Sequence, residues 1–181
     1  MRILDEDATD GVYVRYLSRM YGFHAPLEHR FAAHAGLEAA GFAAVQRAKR
    51  DLLRADLAAL DVAAADLPRC GQLQVLGDVT RAAGVAYVVE GSTLGGRFIL
   101  THMKGALGHL IGRATAFLAG YGEHTGSMWK QFTALCDRVL SDDAAIDAAV
   151  AGARETFAAL ITWLDEPDRE PPHPYLRRGR A

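Results

Sequence analysis

The chain has 181 residues, a formal net charge of −2, a pI near 6.4 and 50% hydrophobic residues. That length predicts one domain with a substantial core, and that charge gives no electrostatic reason to expect nucleic acid or a membrane surface as a partner. Two cysteines, Cys70 and Cys136, make no disulfide framework and stand in no CxxC or Cys/His cluster, which argues against structural zinc.

Taken in order, Asp10 is placed to cap a helix starting near Gly11, and Tyr13, Tyr16, Leu17, Met20, His24, Leu27 and Phe31 recur at helical spacing. Pro26 should bend this helix by removing a backbone donor. Gly36 and Gly41 mark a turn, and a second helix is expected from about Phe42 to Leu60. Its Arg47, Lys49, Arg50, Asp51, Arg54 and Asp56 alternate in sign, the pattern of a solvated face. Asp66 to Gly71, with Pro68 inside it, reads as a loop. A long, bent helix is expected from near Asp78 to about Leu110, with Gly105, Gly108 and Gly112 loosening its end. A turn over Gly120–Gly126 leads to a helix from Ser127 to Leu140. Ser141 and Asp142 can cap a last helix that reaches Leu164 and stops before Pro167.

The expected architecture is a single all-α bundle over residues 1–165, since no segment reads as a strand. Residues 166–181 hold four of the six prolines and the run Arg177-Arg178-Gly179-Arg180, and are expected to be a mobile tail. With no leader peptide in the sequence and no uncharged run long enough to span a bilayer, the expected compartment is a reducing cytoplasm.

The most informative stretch is Ala86-Tyr87-Val88-Val89-Glu90-Gly91-Ser92-Thr93-Leu94-Gly95-Gly96-Arg97-Phe98. A glycine in a helix interior costs about 1 kcal/mol relative to alanine, so three within six residues need a reason. Another backbone packs very close, the helix bends, or a flat ligand lies directly on the main chain.

This segment resembles the distal helix of the heme oxygenases, a kinked, glycine-containing helix whose backbone touches the heme. Tyr21-Gly22-Phe23-His24-Ala25-Pro26-Leu27-Glu28 is similar to that family's second helix. Gly126-Ser127-Met128-Trp129-Lys130-Gln131-Phe132 is similar to the start of its penultimate long helix, and Ala153-Arg154-Glu155-Thr156-Phe157 with Trp163-Leu164 to its last. The resemblance implies an all-α heme-oxygenase-like fold. It also implies heme as substrate and cofactor, and oxidative cleavage to biliverdin, carbon monoxide and iron. The alternatives on the same scaffold are a non-catalytic heme- or tetrapyrrole-binding protein, or a helical protein that has lost the ligand.

Carried over residue by residue, Gly91, Ser92, Gly95 and Gly96 match the distal face. Ser92 stands where several members have an acid that orders the distal water; its hydroxyl can hydrogen-bond but carries no charge. His24 matches the distal side, where it either joins a water network or is a buried histidine satisfied by a carbonyl. Lys130 matches a lysine that meets a heme propionate, and Arg97 is a second candidate for that contact. Phe157 matches an aromatic wall of the pocket. The family's proximal histidine lies on a helix before the region that Met1-Arg2-Ile3-Leu4-Asp5-Glu6-Asp7 resembles, so the metal ligand is left unassigned, with His24 as a possible substitute. The electron donor and oligomeric state are likewise unassigned.

Other chemistries find little support. His102 and His109, seven apart, can share a helix face, but no carboxylate stands at i+3 or i+4 from either. The only Glu-x-x-His spacing, Glu170 to His173, falls in the proline-rich tail, so a di-iron carboxylate site is not expected. Cys136 has no evident base, and there is no P-loop or dinucleotide fingerprint.

Overall fold

The computed structural model describes residues 3–73 and 75–167, and among them every regular element is helical. The first long helix, α1 (Asp10–Ala32), is capped one residue earlier than expected: the Thr9 side chain accepts from Val12 N, and Asp10 is the first helical residue. It runs through Pro26 without a break. Proline has no N–H to give the carbonyl four residues back, which is that of Gly22. That carbonyl accepts the amide of Cys70 instead, at 3.0 Å. Gly22 has no side chain, and a Cβ there would lie 2.7 Å from a ring carbon of Trp163 and on the Pro68 carbonyl oxygen. The 66–71 loop therefore docks on α1 where the proline frees an acceptor and the glycine leaves room.

The single helix expected from Phe42 to Leu60 is not formed. After α2 (Ala35–Ala39), Ala43 takes a left-handed conformation (φ 49°) and opens a one-turn α3 (Ala44–Arg47). Ala48 is then extended before α4 (Arg50–Ala59). The expected solvated charge face is also corrected: Arg47, Lys49 and Asp56 are buried. Each has a partner from elsewhere in the chain. Glu28 on α1 reaches across and accepts from Lys49 N (2.6 Å) and Arg50 N (3.0 Å), so a carboxylate from another helix caps α4. Asp56 accepts from Ala116 N and Phe117 N at 2.8 Å each, and so caps α6 (Ala116–Ala119). Asp51 and Arg54 do remain a solvated pair, 3.3 Å apart.

The helix α5 (Val79–His102) starts where expected, with Asp78 accepting from Arg81 N at 2.9 Å, but ends at His102 rather than near Leu110. Turns and a short 3₁₀ segment (Gly108–Leu110) follow. Gly120, at φ 56°, ends α6, and α7 (Thr125–Val139) begins two residues before Ser127. The last helix, α8 (Asp143–Asp165), is capped by Asp142, which accepts from Ala145 N at 2.8 Å. Residues 168–181, and with them Glu170 and His173, lie outside the described residues.

Two apolar clusters hold the bundle. One joins the first half of α1 to α4 and the 103–118 stretch through Tyr13, Leu17, Leu53, Leu57, Leu110 and Leu118. The other joins the second half of α1 to α5 and α7 through Phe23, Leu27, Phe42, Val89, Phe132 and Leu135. The tightest helix pair is α5 with α8. A Cβ on Gly84 would fall on the Ala149 backbone, and one on Gly152 would lie 2.6 Å from the Arg81 carbonyl oxygen. The rising numbers on one helix meet falling numbers on the other, so the pair is antiparallel with backbones in contact.

Candidate functional site: the uncovered face of α5

The glycines of α5 point different ways, because successive residues turn about 100° around a helix. Gly96 is buried, and a Cβ there would fall on the Leu118 carbonyl oxygen. Its role is close passage of α5 against α6. Gly95 is exposed and a Cβ there would meet nothing. Gly91 has only the edge of the Trp129 ring, 4.0 Å from its Cβ position. Gly91 and Gly95 are four residues apart and share a face.

The same face carries Tyr87 (47% exposed), Leu94 (44%), Phe98 (56%) and the exposed His102. Trp129 of α7 flanks it, its ring 5.6 Å from that of Tyr87. Large apolar side chains and the open backbone of Gly95 thus lie together with none of the described residues covering them. Among the described residues Arg97 and Lys130 are exposed and their side chains make no ion pair. Arg97 is turned away from Gly95 but neighbours Leu94, three residues before it, and so borders the face on that side, and Lys130 follows Trp129.

Other expected site residues lie elsewhere. Ser92 is turned about 100° from Gly91, and its hydroxyl donates to Val89 O at 2.7 Å, within its own helix. His24 is buried beneath Phe23 and Phe117, with the Phe117 ring 5.3 Å away. Its Nδ1 lies 3.4 Å from Glu28 Oε1, yet neither ring nitrogen has a hydrogen bond of acceptable geometry. It is thus a buried histidine, but without the carbonyl expected to satisfy it, and with no exposure through which to serve as a substitute iron ligand. Phe157 is 47% exposed but distant. The α5–α8 register, Gly84 against Ala149 and Gly152 against Arg81, sets Phe157 beside the start of α5. At about 1.5 Å per residue that is roughly 28 Å along the axis from Gly95, so these two do not wall one pocket.

Behind the face lies a polar network that the sequence pattern did not reveal. Glu90 precedes Gly91 but turns inward. Arg47 Nη1 donates to Glu90 Oε2 at 2.5 Å, and the Tyr121 hydroxyl donates to Oε1 at 2.8 Å. Arg47 Nε donates to Phe42 O at 2.8 Å. Lys49 Nζ donates to Arg47 O at 2.9 Å and stands 3.4 Å from the Tyr121 ring centre. Burial pushes the Lys49 ammonium down to about 8, against the pull of Glu90 and Glu28. Burial, and then the charge of Glu90, push the Tyr121 hydroxyl up. Burial pushes the Glu28 carboxyl up too, but His24 beside it and the Lys49 and Arg50 amides outweigh this and hold it low. The network fixes the rotation of α5 by tying its inward side to α3 and to the loop before α7.

An apolar helix face with exposed glycine backbone suits a flat, apolar ring, and the two free cations beside it suit that ring's carboxylates. These are the demands of heme. No curated protein and no solved structure matches the chain. A heme oxygenase family model matches residues 1–166, which is nearly the whole sequence. The chain belongs to the heme oxygenase family.

Proposed function

We propose that this protein binds heme on the uncovered face of α5 and cleaves it to biliverdin, carbon monoxide and iron. One observation carries the reading: Gly95, open at its Cβ position, lies beside the exposed Tyr87, Leu94 and Phe98, with the half-buried Gly91 one turn before it. Gly91 and Gly95 let the macrocycle approach the main chain. Leu94, Phe98 and Tyr87 exclude water from it, and Arg97 and Lys130 neutralise the propionates. Heme, when bound, supplies the iron that activates oxygen. Cys70 and Cys136 are free thiols, in keeping with a reducing cytoplasm.

A second reading, heme binding without turnover, has its own support. The open row at 87, 91, 94, 95 and 98 carries no carboxylate, and Ser92 commits its hydroxyl to Val89. One experiment separates the two. Heme is titrated into the protein and followed in the visible, and biliverdin is then sought with a chemical reductant and with catalase present. Binding with biliverdin supports the oxygenase, binding without it supports the second reading, and no binding overturns both.

A further inference from the structure

The described histidines differ in what holds their rings. His29, His102, His109 and His124 are exposed. His24 is buried, and neither of its ring nitrogens has a hydrogen-bond partner among the described residues. His34 is half-buried, and both of its ring nitrogens are bonded to backbone, one within α2 and one just before α5. Leu37 N donates to Nδ1 at 3.0 Å, so Nδ1 carries a lone pair. Nε2 lies 3.0 Å from Gly77 O, and a carbonyl only accepts, so Nε2 carries the proton. The two bonds coexist in the neutral ring, in that one tautomer.

His34 is the N-cap of α2, a position that Asn, Asp, Ser and Thr usually fill. An imidazole caps only while Nδ1 is unprotonated. α2 has five residues, too few to persist on their own hydrogen bonds. Leu37 anchors it, fully buried in the cluster with Phe31 and Phe42. Gly36 passes so close to the start of α5 that a Cβ there would lie 3.2 Å from Val79 Cβ. The His34–Gly77 bond closes the same junction. The titratable and charged groups around it are His29 and Arg30 at the end of α1, Glu38 on α2, Asp78 and Arg81 at the start of α5, Glu155 of α8 and Arg138 of α7. Arg30 donates to Leu73 O, Asp78 accepts from Arg81 N and the Thr80 hydroxyl, Arg81 pairs with Glu155, and Arg138 donates to Ala40 O. His29 and Glu38 are exposed.

We propose that His34 is a proton-sensitive clasp between α2 and the start of α5. An imidazole takes up a proton as the pH falls from about 8 to 5. The added Nδ1–H meets the Leu37 N–H, two donors with no acceptor between them. The Leu37 amide keeps a second acceptor, the His34 carbonyl at 3.0 Å. The ring therefore gives way first, and as it turns out it takes Nε2 away from Gly77. α2 is then left with Leu37 as its anchor and opens. The following residues carry the change inward: Phe42 O holds Arg47, and Arg47 holds Glu90 on α5.

The test is NMR of the full chain at pH 7.5 and pH 5. Imidazole nitrogen shifts at pH 7.5 should show His34 as the Nε2–H tautomer. At pH 5 the ring should be protonated, and the α2 amides should open at least about fivefold more often, read from hydrogen exchange corrected for its intrinsic pH dependence. His34→Asn keeps a capping acceptor that takes up no proton in this range, so its α2 opening should be the same at both pH values. An Nδ1–H tautomer at pH 7.5 overturns the proposal, and so does a ring still neutral at pH 5. A protonated ring with unchanged α2 exchange overturns it as well. If His34→Asn keeps the acid-induced opening, another group drives it and the clasp is refuted.

Discussion

Gly95 and Gly96 are neighbours of the same type, yet their surroundings predict opposite responses to one methyl group. At Gly95 the added Cβ enters open space on an exposed helix. Gly95→Ala should therefore stabilise the fold by about 0.5–1 kcal/mol through helix propensity alone. At Gly96 the same Cβ falls on the Leu118 backbone, which cannot move aside without shifting α6. Gly96→Ala should cost about 1–3 kcal/mol. Urea denaturation of the two variants measures both effects, and equal values would mean that α6 does not pack on Gly96 in solution. The glycine cluster was legible in the sequence as an anomaly. Which glycine serves packing and which stays open was not, because that depends on the rotation of α5 about its axis. Glu90, Arg47 and Tyr121 help to set that rotation, and they lie as far as 74 residues apart along the chain.

At the scale of elements, helix starts were read best where the cap is local. Asp78 and Asp142 cap α5 and α8 within their own segments, and both were legible. The start of α4 was not, because its cap is Glu28, some 20 residues upstream on α1. The alternating charges at 47–56 suggested a solvated face for the same reason: the partners that bury Arg47, Lys49 and Asp56 are remote in sequence. Removing the Glu28 carboxylate leaves the buried Lys49 amide and the part-buried Arg50 amide without this acceptor, so Glu28→Ala should destabilise the protein by about 2–3 kcal/mol. Its pH dependence has a definite sign. The folded-state carboxyl is held below its usual value despite the opposing push of burial. The stabilisation is therefore complete above the ordinary glutamate range near pH 4.3 and is lost as the pH falls through the lowered value. Acid titrations of stability for wild type and Glu28→Ala should converge at low pH. A constant gap down to pH 2 would show that the carboxylate's charge is not what caps α4.

For the whole molecule, the all-α architecture and the family were legible because helical periodicity and four ordered blocks of residues survive without knowledge of long-range contacts. The charged interior was not legible, and it makes a prediction of its own for alkaline solution. Lys49 is fully buried, and burial lowers its ammonium to about 8. An unfolded lysine titrates near 10.4. Between those values the unfolded chain holds a proton that the folded chain has released, so stability rises with pH across that window, by up to about 3 kcal/mol. The tyrosines act oppositely. Burial raises Tyr13, Tyr16 and Tyr121 above their ordinary value. Once the pH passes about 10, the unfolded chain loses phenolic protons that the folded chain keeps, and stability falls. The expected profile is therefore a rise from pH 8 to about 10 followed by a decline. In Lys49→Met the rise should vanish while the decline remains. Denaturation free energies measured between pH 7 and 11 decide it. If the variant keeps the rise, another group supplies it, and Lys49 stays charged in the folded protein through its contact with Tyr121 and its bond to Arg47.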